Sequence, residues 1–598
     1  MKKIFYIAIL LVSFPALSQF YVSSGTYVFV KDQYVFVNQD INLQTNSNLY
    51  LRNEAQILQG TTSTSTNKGA GVLSVFQEGT SDNYDYNYWC SPVGNASAST
   101  GNENFGITKL YRPTTITAST PATMDSGSYD GASTNSSLSI ATYWIWKFLA
   151  GADYSEWIHS EANTDIEAGQ GFTMKGTSGT DNTAVGETVV NNPGSAQRYD
   201  FRGKPNDGNI TVGVAIDNFT LTGNPYPSAL HVNEFLLDPA NTDCTGIAYY
   251  WEQDKTVNSH LLLDYRGGYG TYAPISTSPT EYGVYVPATF DSYNIDGTEN
   301  TTGSTSGLSI QRKYAPIGQG FMIKGKASGS PVSVTLKNEY REYYKEAGAY
   351  SQFERNINST GNATQDVDVN PVAQIRLNTI MNNQFTRQVA LVLMPTATDG
   401  VDRGIDAKSP VEETIPNDVY FFLDNNRYVI EGVAFDIDKR IPVGVKSTDN
   451  ASFKFDASLV SNFDESQNIY MYDALDGSYH DIKNNAYEVV LATGVYNDRF
   501  EITFKNAALD DENNIKSSFV IFQDNVSQNL TISNPNSIEL KSVTLYDLTG
   551  KKIFGKQNLG AENSYQFPTN GLSQAVYLVE LVTNDNKKVA QKVIISNQ

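Results

Sequence analysis

The sequence predicts an all-β protein built from several tandem β-sandwich-like domains, preceded by a short N-terminal segment that is β-solenoid-like or a meander. Short runs of β-branched and aromatic residues alternate with Asn, Asp, Gly and Ser along the chain, which is typical of strands and turns. One long motif occurs twice, which indicates a duplicated domain. With 598 residues, 40% of them hydrophobic, the chain is long enough for roughly four domain cores.

The charge balance excludes two classes of partner. The chain has 64 acidic against 42 basic residues, a net charge of −22 and a pI near 4.6. Nucleic acid and anionic membrane surfaces would repel such a chain, so we expect no nucleic-acid partner.

Residues 1–18 are predicted to be a signal peptide. Lys2 and Lys3 form the positive start, an apolar run follows, and small residues precede a cleavage site between Ser18 and Gln19. The alternative, an uncleaved anchor, would need about 20 apolar residues. No later stretch is apolar enough to span a membrane, so we expect no transmembrane segment.

The N-terminal segment, residues 19–60, contains five short apolar runs in close succession. Runs such as Tyr27-Val28-Phe29-Val30 and Tyr34-Val35-Phe36-Val37 suit either the rungs of a short solenoid or a tight meander. The Thr- and Ser-rich residues 60–69 then form a linker.

Two β repeat units follow, at 70–195 and 196–337. Gly169-Gln170-Gly171-Phe172 recurs as Gly318-Gln319-Gly320-Phe321, in each case with Lys-Gly three residues further on. Trp89-Cys90-Ser91-Pro92 is a degenerate counterpart of Thr222-Gly223-Asn224-Pro225. Because Ser, Thr and Gly follow the motif where a phosphate-binding loop would need a helix, we interpret it as a strand entered through a tight turn.

The five tryptophans all lie in the duplicated region, at 89, 144, 146, 157 and 251. Two interpretations remain open: core anchors of small β domains, or platforms that stack on sugar rings. Trp144 and Trp146, two apart, are expected on one face of a strand, and with Trp251 they are the candidate glycan contacts. Cys90 and Cys244 are interpreted as buried small hydrophobes, with a disulfide as the alternative.

The second half of the chain begins with a polar boundary segment at 338–366, in which one short helix is expected. Eight strand-like runs in 367–508 predict a β-sandwich domain. Within it, a loop at 398–406 gathers Asp399, Asp402 and Asp406. A solvated turn is the favoured interpretation and a calcium site the alternative, because the spacing differs from a helix-flanked calcium loop.

Residues 525–598 are predicted to form a separate small sandwich. The pieces Leu545-Tyr546-Asp547, Thr549-Gly550-Lys551, Ile553-Phe554, Val576-Tyr577-Leu578-Val579 and Lys592-Val593-Ile594-Ile595 occur there in order. In this order the segment resembles the C-terminal sorting domain of cargo exported by the type IX secretion system of Gram-negative bacteria. The stretches 223–228, 399–402, 429–432 and 494–500 are similar to other regions of large surface proteins of that export class.

The resemblance implies export across both membranes, with the type IX secretion machinery as partner and a secreted or cell-surface location. The sorting residues it implies are Tyr546, Asp547, Gly550, Lys551, Tyr577 and Lys592. His159, His231, His260 and His480 are scattered and form no known catalytic spacing.

We therefore predict a non-enzymatic adhesion, binding or structural protein, without catalytic residues, bound metal or cofactor. Surface polysaccharide or another glycan is a candidate partner. The alternative is a secreted glycan-active enzyme, or a glycan-binding module that uses the Trp-rich repeats.

Overall fold

The computed structural model describes residues 19–160, 165–186, 189–261, 264, 267–278, 282–288, 311–346, 351, 353, 372–383, 385–409, 417–506, 518–525 and 527–596. Strands dominate this part of the chain, and the predicted all-β class is confirmed. The predicted signal peptide, including Ser18, and most of the insertion between 260 and 314 lie outside it. Among the helices that are described, none is both long enough and apolar enough to cross a bilayer.

The N-terminal segment is a two-coil solenoid. The first coil consists of β1 (Phe20–Val22), β2 (Tyr27–Lys31) and β3 (Tyr34–Val37), and the second of β4 (Ile41–Leu43), β5 (Asn48–Arg52) and β6 (Gln56–Gln59). Each strand of the first coil pairs in parallel with its counterpart in the second, β1 with β4, β2 with β5 and β3 with β6. A meander would give antiparallel pairs, so of the two predicted alternatives the solenoid is the correct one.

The first repeat extends the sheet that the solenoid begins. Its strands are β7 (Val72–Glu78), β8 (Tyr86–Cys90), β9 (Val93–Gly94), β10 (Leu110–Thr115), β11 (Ala118–Pro121), β12 (Thr123–Asp125), β13 (Gly131–Ser133), β14 (Leu138–Ala141), β15 (Trp146–Lys147), β16 (Ile158–His159), β17 (Gly171–Lys175), β18 (Thr177–Gly179), β19 (Asp181–Ala184), β20 (Val190–Asn192) and β21 (Arg198–Pro205). β7 pairs in parallel with β5 and antiparallel with β21. The sequence boundary at 196 assigned β21 to the second repeat, whereas its hydrogen bonds join it to the first.

One apolar core serves both the solenoid and the first repeat. Leu49 of the solenoid belongs to the same buried cluster as Trp89 and Phe201 of the repeat. Trp89 lies edge-on to Tyr199, with ring centroids 5.7 Å apart. The two segments that the sequence separated by a linker therefore bury their apolar surfaces together.

The second repeat has its own core. Its strands are β22 (Ile210–Gly213), β23 (Phe219–Gly223), β24 (Ala229–His231), β25 (Cys244–Gln253), β26 (Gly267–Ala273), β27 (Val284–Val286), β28 (Tyr314–Ala315), β29 (Gly320–Gly325), β30 (Ser333–Leu336) and β31 (Arg341–Glu342), with helix α1 (Val232–Leu237) after β24. Tyr226, Phe235, Tyr250 and Phe321 are fully buried in this core. The short helix expected in 338–366 is a 3₁₀ turn over Asn338–Tyr340.

The duplicated motif forms the same strand pair in both repeats. Gly171 of β17 faces Cys90 of β8, and Gly320 of β29 faces Gly223 of β23, in both cases antiparallel. These partners are the segments that the sequence matched to each other. The glycine before each strand, Gly169 or Gly318, has a positive φ, as expected of a strand entered through a tight turn.

Residues 372–506 contribute the strands β32 (Ala373–Met381), β33 (Phe385–Leu393), β34 (Ala407–Lys408), β35 (Asp418–Leu423), β36 (Asn426–Val433), β37 (Arg440–Ser447), β38 (Ala451–Ser461), β39 (Tyr470–Asp473), β40 (Ser478–Asp481), β41 (Tyr487–Leu491) and β42 (Gly494–Thr503). Within one larger sheet, successive neighbours are β37-β35-β36-β33-β32-β38-β41, and β34 pairs with β36. The sequence led us to expect two packed sheets here. Long strands such as β32 and β38 instead pair along most of their length in a single sheet.

The described chain divides into two compact units. The first contains the residues up to 436 together with Ile441–Gln467 and Ile482–Phe500, and the second contains Ile437–Arg440, Asn468–Asp481 and 501–598. The second unit therefore includes three short pieces that the sequence placed in the 367–508 domain, at 437–440, 468–481 and 501–508. One of them carries the hairpin of β39 and β40.

The C-terminal part of the second unit holds two sheets over one core. Its strands are β43 (Val520–Asp524), β44 (Asn529–Ser533), β45 (Leu540–Asp547), β46 (Lys552–Gly560), β47 (Ser564–Pro568), β48 (Ala575–Thr583) and β49 (Lys588–Ile595). They form the sheets β43-β44-β47 and β46-β45-β48-β49. Ile521, Leu530, Leu545 and Val579 are buried together between them. Because β43 pairs with β44, this module begins before the predicted boundary at 525.

Candidate functional site

The first repeat exposes a group of aromatic side chains that we call the aromatic surface: Tyr129, Tyr143, Trp146 and His159. Tyr129 is 56% and Tyr143 46% exposed, His159 is exposed and Trp146 is half-buried. Tyr143 lies edge-on to Tyr129, with centroids 4.9 Å apart, and Trp146 lies edge-on to His159 at 4.7 Å. Neighbouring rings of this group thus meet edge to face, and their exposed parts offer apolar surface to a ligand.

The backbone around Trp144 explains which rings point outward. Residues Thr142–Trp144 form a 3₁₀ turn, and the strand begins only at Trp146. The Thr173 hydroxyl donates to the Trp144 carbonyl and accepts the N–H of Trp146. These two hydrogen bonds replace those that a neighbouring strand would make. Trp144 therefore lies in the turn and not in the strand, and the expectation that Trp144 and Trp146 share one face of a strand is wrong. The turn leaves Tyr143 exposed and Trp144 buried.

Trp144 lies beneath the aromatic surface as a core anchor. It is 7% exposed, and its Nε1–H donates to the Tyr129 carbonyl at 2.6 Å. The Nζ of Lys175 lies 3.8 Å from its ring centre. Of the predicted glycan contacts, only Trp146 is thus part of the exposed face.

Trp251, the third predicted contact, belongs to a different aromatic group. It stacks on Tyr88 with an interplanar angle of 10°, and its Nε1–H donates to the Gln253 side chain at 3.2 Å. Trp157 lies edge-on to Tyr88, with ring centroids 6.1 Å apart. The structure therefore brings Trp144 and Trp146 together and leaves Trp251 apart from them.

A hydrogen-bonded relay lies next to Trp144. The Lys175 ammonium donates to Nδ1 of His260 at 3.2 Å, and Nε2 of His260 lies 2.8 Å from the Asp130 carboxylate. His260 itself stacks on Trp144 with centroids 5.3 Å apart. Burial lowers the pKa of Lys175 to about 7, although the charges of nearby aspartates, Asp85 first among them, oppose this shift.

Sequence reasoning missed this relay. Lys175 is the lysine of the duplicated motif, which was the available signal, but His260 reaches it from 85 residues away. Both ring nitrogens of His260 have partners and Lys175 is only 3% exposed. The relay therefore fastens a loop of the second repeat onto the first and offers little open surface to a substrate.

A cavity of about 760 Å³ opens elsewhere, with residues of the solenoid and of both repeats, several of them charged, in its wall. The guanidinium of Arg52 lies 3.5 Å from the ring centre of Phe76 and donates to the carbonyls of Ser74 and Ile116. Asp85 also lines it, and its Oδ1 has no hydrogen-bond partner among the described residues. Burial raises the pKa of Asp85 to about 7.

The one group of potential metal ligands in the described residues lies at the end of β24. Single ligand atoms of His231, Glu234 and Glu342 all lie within 4.8 Å of one another. Nδ1 of His231 accepts the Glu234 N–H at 3.1 Å, so the neutral ring carries its proton on Nε2. Burial and then the charge of Lys313 lower the pKa of this imidazole to about 4. A metal would have to displace the hydrogen bond that caps α1, so the donor set does not fit one well.

The acidic loop at 398–406 directs its carboxylates to backbone groups. Asp402 accepts the Thr398 N–H at 2.6 Å, and Asp406 accepts the N–H groups of Asp402 and Gly432. Arg403 donates to the carbonyls of Leu236, Asn241 and Cys244. Arg403 therefore fastens the loop to the second repeat. The loop is a hydrogen-bonded turn, but it is not the solvated turn that the sequence favoured, because Asp406 is buried.

Cys90 and Cys244 are both buried and neither forms a disulfide. Burial raises the pKa of both thiols, most directly by removing them from water. The interpretation as buried small hydrophobes therefore holds, and the disulfide alternative does not.

The predicted sorting residues lie on the two sides of one sheet. Tyr546 of β45 faces Leu578 of β48, which faces Lys592 of β49, so these three form one row on the outer side. Lys592 is exposed and Tyr546 half-buried. Tyr577 points inward and donates its hydroxyl to the Ser573 carbonyl at 2.9 Å.

The turn between β45 and β46 holds the remaining sorting residues. Asp547 accepts the N–H groups of Thr549 and Lys551, and the hydrogen bond from the Thr549 hydroxyl lowers the pKa of its carboxyl. Gly550 has a positive φ and is exposed, as is Lys551. At the predicted cleavage site, Gln19 is exposed and its side chain bonds the Asp40 carboxylate, while Ser18 lies outside the described residues.

Comparison with family models gives two matches. Residues 13–504 match a domain of unknown function, DUF8693, and residues 508–595 match a second, DUF8694. The chain belongs to the DUF8693 family. A search of curated proteins found no match.

Solved structures resemble the chain only distantly. The CupB2 chaperone of Pseudomonas aeruginosa is 9% identical, over 37% of this chain and 87% of that one, with a TM-score of 0.11. The polysaccharide lyase BACCELL_00875 is 10% identical, over 39% and 41%, with a TM-score of 0.13. The 47-kilodalton lipoprotein Tp47 of Treponema pallidum is 8% identical, over 63% and 91%, also at 0.13. Scores this low do not establish a shared fold.

Proposed function

We propose that this chain is an exported, non-enzymatic protein that works by binding at or beyond the bacterial cell surface, and that its C-terminal module directs export through the type IX secretion system. The observation that carries the proposal is the outward row of Tyr546, Leu578 and Lys592 beside the exposed turn at 547–551. Residues of the sorting pattern are thereby accessible on a module with its own apolar core.

The test of export is the location of the protein in a type IX-competent host. The full chain should appear outside the cell, and a chain lacking 541–598 should remain in the periplasm. A full-length Lys592→Glu variant separates sorting from folding, because Lys592 is exposed and its replacement leaves the core intact. Lys588→Glu, on the same strand, is its matched control. Normal release of the truncated chain would refute the sorting assignment.

For the binding role, the aromatic surface supports carbohydrate as the ligand class. Tyr129, Tyr143 and Trp146 expose ring faces and edges side by side on short, well-fastened elements. Aromatic rings stack on the apolar faces of sugars, and a group of neighbouring rings suits a chain of sugar units better than one small substrate.

The test is a glycan array on the mature chain, followed by affinity measurements. Trp146→Ala and Tyr143→Ala should each weaken binding by about tenfold, which corresponds to about 1.4 kcal/mol. Tyr154→Ala removes a ring that is 69% exposed but lies outside the aromatic surface, so it should leave affinity unchanged. Binding that ignores Trp146 and Tyr143 would place the glycan site elsewhere.

The proposal assigns no catalysis to the chain. The Lys175 relay supports this, since its lysine is almost fully buried and both nitrogens of His260 are already engaged. In the cavity, the N–H groups of the Arg52 guanidinium already donate hydrogen bonds to backbone carbonyls and to the Ser74 hydroxyl. The alternative of a glycan-active enzyme predicts release of reducing ends from a polysaccharide that the chain binds, which a reducing-sugar assay measures.

A further inference from the structure

The first coil of the solenoid has three strands with one unpaired edge each. Among the described strands, β1 pairs only with β4, β3 only with β6, and β2 is the last strand of its sheet, next to β5. Because all three pair with the second coil, their free edges point the same way, out of the end of the solenoid. Unpaired edges are templates for pairing with another chain.

The apolar interior is incompletely covered at this end, although Val22, Val30 and Val37 of the first coil are buried. Phe20, Val28 and Val35 point inward from the first coil but remain half-exposed. Their direct neighbours one coil further on are Ile41, Leu49 and Ile57, which are at most 1% exposed. Each of these three positions is thus buried in the second coil, whereas in the first coil no further layer covers it.

Aromatic side chains surround the open end. Tyr21, Tyr27, Tyr34 and Phe36, all in the first coil, are 49–65% exposed. Terminal units of repeat proteins normally present a polar cap to solvent. With cleavage at the predicted site after Ser18, only Gln19 precedes β1 in the mature chain, which is too little to provide such a cap.

We propose that a second copy of this chain covers the open end, giving a two-fold symmetric dimer through the first coils. The proposal rests on the export assignment, because it needs the leader to be removed. The second copy supplies what the surface lacks: three strand edges of similar length, since β1 has three residues, β3 four and β2 five, and three inward-pointing apolar side chains. A two-fold axis through β2 pairs β2 with its own copy, β1 with β3 of the second copy, and β3 with β1, all antiparallel.

The side chains of β2 fit this arrangement. With Phe29 on the axis, the two Phe29 rings face each other, and Tyr27 of each copy faces Lys31 of the other. Tyr27 is 65% exposed and Lys31 is exposed at the opposite end of the strand. A lysine ammonium against a tyrosine ring is an attractive pair. One coil is smaller than the roughly 20–30 residues per side of a standard interface, so we expect a dissociation constant in about the micromolar range.

The test uses the purified chain 19–598 in sedimentation velocity between 1 and 100 µM. The chain should dimerise, and Phe29→Glu, which places two carboxylates on the axis, should raise the dissociation constant at least tenfold. Tyr154→Glu is the control for the added carboxylate, since Tyr154 is exposed and lies in the first repeat, away from the first coil. Circular dichroism of each variant verifies that it is folded.

Phe29→Cys provides a second readout that does not depend on weakening the dimer. Residues that face each other across an antiparallel pair have Cβ atoms about 4.5–5.5 Å apart, so the two thiols on the axis should form a disulfide-linked dimer on mild oxidation. Tyr154→Cys should give no disulfide-linked dimer, and the native thiols are buried.

Three results would overturn the proposal: a folded monomer at 100 µM, a dimer that Phe29→Glu leaves unchanged, or a dimer that Phe29→Cys does not crosslink. N-terminal sequencing of the secreted protein addresses the export assignment separately. A mature terminus other than Gln19 would indicate a failure of that assignment rather than of the dimer.

Discussion

The carboxyl group of Asp85 is predicted to make the protein less stable as the pH rises. Asp85 is 1% exposed and its Oδ1 lacks a hydrogen-bond partner among the described residues. Burial first, and then the charge of Asp82, raises its pKa from 3.8 to about 7. Replacing the residue by Asn keeps the shape of the side chain and removes its charge.

The sign and size of the effect follow from this pKa. Below about pH 4 the carboxyl is protonated in both the folded and the unfolded chain, and it costs nothing. Between about pH 4 and 7 the Asp85 carboxyl ionises in the unfolded chain but stays protonated in the folded chain, so the free energy of unfolding falls as the pH rises. A difference of about three pKa units corresponds to at most about 4 kcal/mol above pH 7.

The measurement is urea unfolding of the wild type and Asp85→Asn between pH 4 and 8, followed by tryptophan fluorescence. All five tryptophans lie between 89 and 251, so the signal reports on the repeats that contain Asp85. The free energy of unfolding of the variant minus that of the wild type should rise by about 2–4 kcal/mol from pH 4 to pH 8. An unpaired amide N–H₂ costs about 1–3 kcal/mol at every pH, and it therefore cancels in this comparison.

Asp243→Asn is the control of opposite sign. Its carboxylate accepts a hydrogen bond from Lys326 and another from the Val332 N–H, which hold its pKa at about 2. This group stabilises the folded state above about pH 4, so its replacement should lower stability there. A pH-independent difference for Asp85→Asn, or one that falls as the pH rises, would refute the reasoning.

The remaining predictions concern close packing in the repeats. Gly320→Ala should lower the free energy of unfolding by about 1–3 kcal/mol in urea titrations, because the new Cβ would lie 2.7 Å from the Trp89 backbone nitrogen. Gly213→Ala, where the nearest atom is 4.0 Å away, should change it by less than about 1 kcal/mol in either direction. Equal effects would contradict a packing role for the motif glycine. Cys90 and Cys244 should resist a thiol reagent in the native protein and react fully in guanidinium, and native labelling would show that the repeats open.

The local sequence pattern predicted strands well and their partners poorly. The solenoid runs were recognised from their composition, and the strand pairs Phe20–Ile41 and Tyr27–Asn48 are both 21 residues apart. That period could be read from the sequence. Whether the strands pair in parallel, however, depends on the backbone conformation of the turns between them, which amino-acid composition does not indicate. The duplicated motif predicted two copies of one domain, but the pairing of its recurring segments, Gly171 with Cys90 and Gly320 with Gly223, became visible only in the structure.

The aromatic surface shows why the site could be located only in part. Trp144 and Trp146 are two residues apart, and a strand would have placed both on one face. The hydroxyl of Thr173, which is 29 residues from Trp144 in the chain, replaces a strand neighbour and reverses the roles of Tyr143 and Trp144. A single side-chain hydrogen bond of this kind leaves no mark in the periodicity of either segment.

The hydrogen bonds between Lys175, His260 and Asp130 are a second long-range contact that local periodicity does not indicate, and here the contact joins the two repeats. His260 lies at the start of the long insertion that distinguishes the second repeat from the first, yet its ring packs against Trp144 and bonds Lys175 of the first. An insertion in one copy therefore covers the motif lysine of the other. In the second repeat the equivalent Lys324 instead forms an ion pair with Asp217 at 2.7 Å. The two repeats therefore have similar motif strands, but their lysines have different partners. In the first repeat, Lys175 and His260 pack on Trp144 beneath the aromatic surface. Lys324 of the second repeat has an ion pair with Asp217 in place of these contacts.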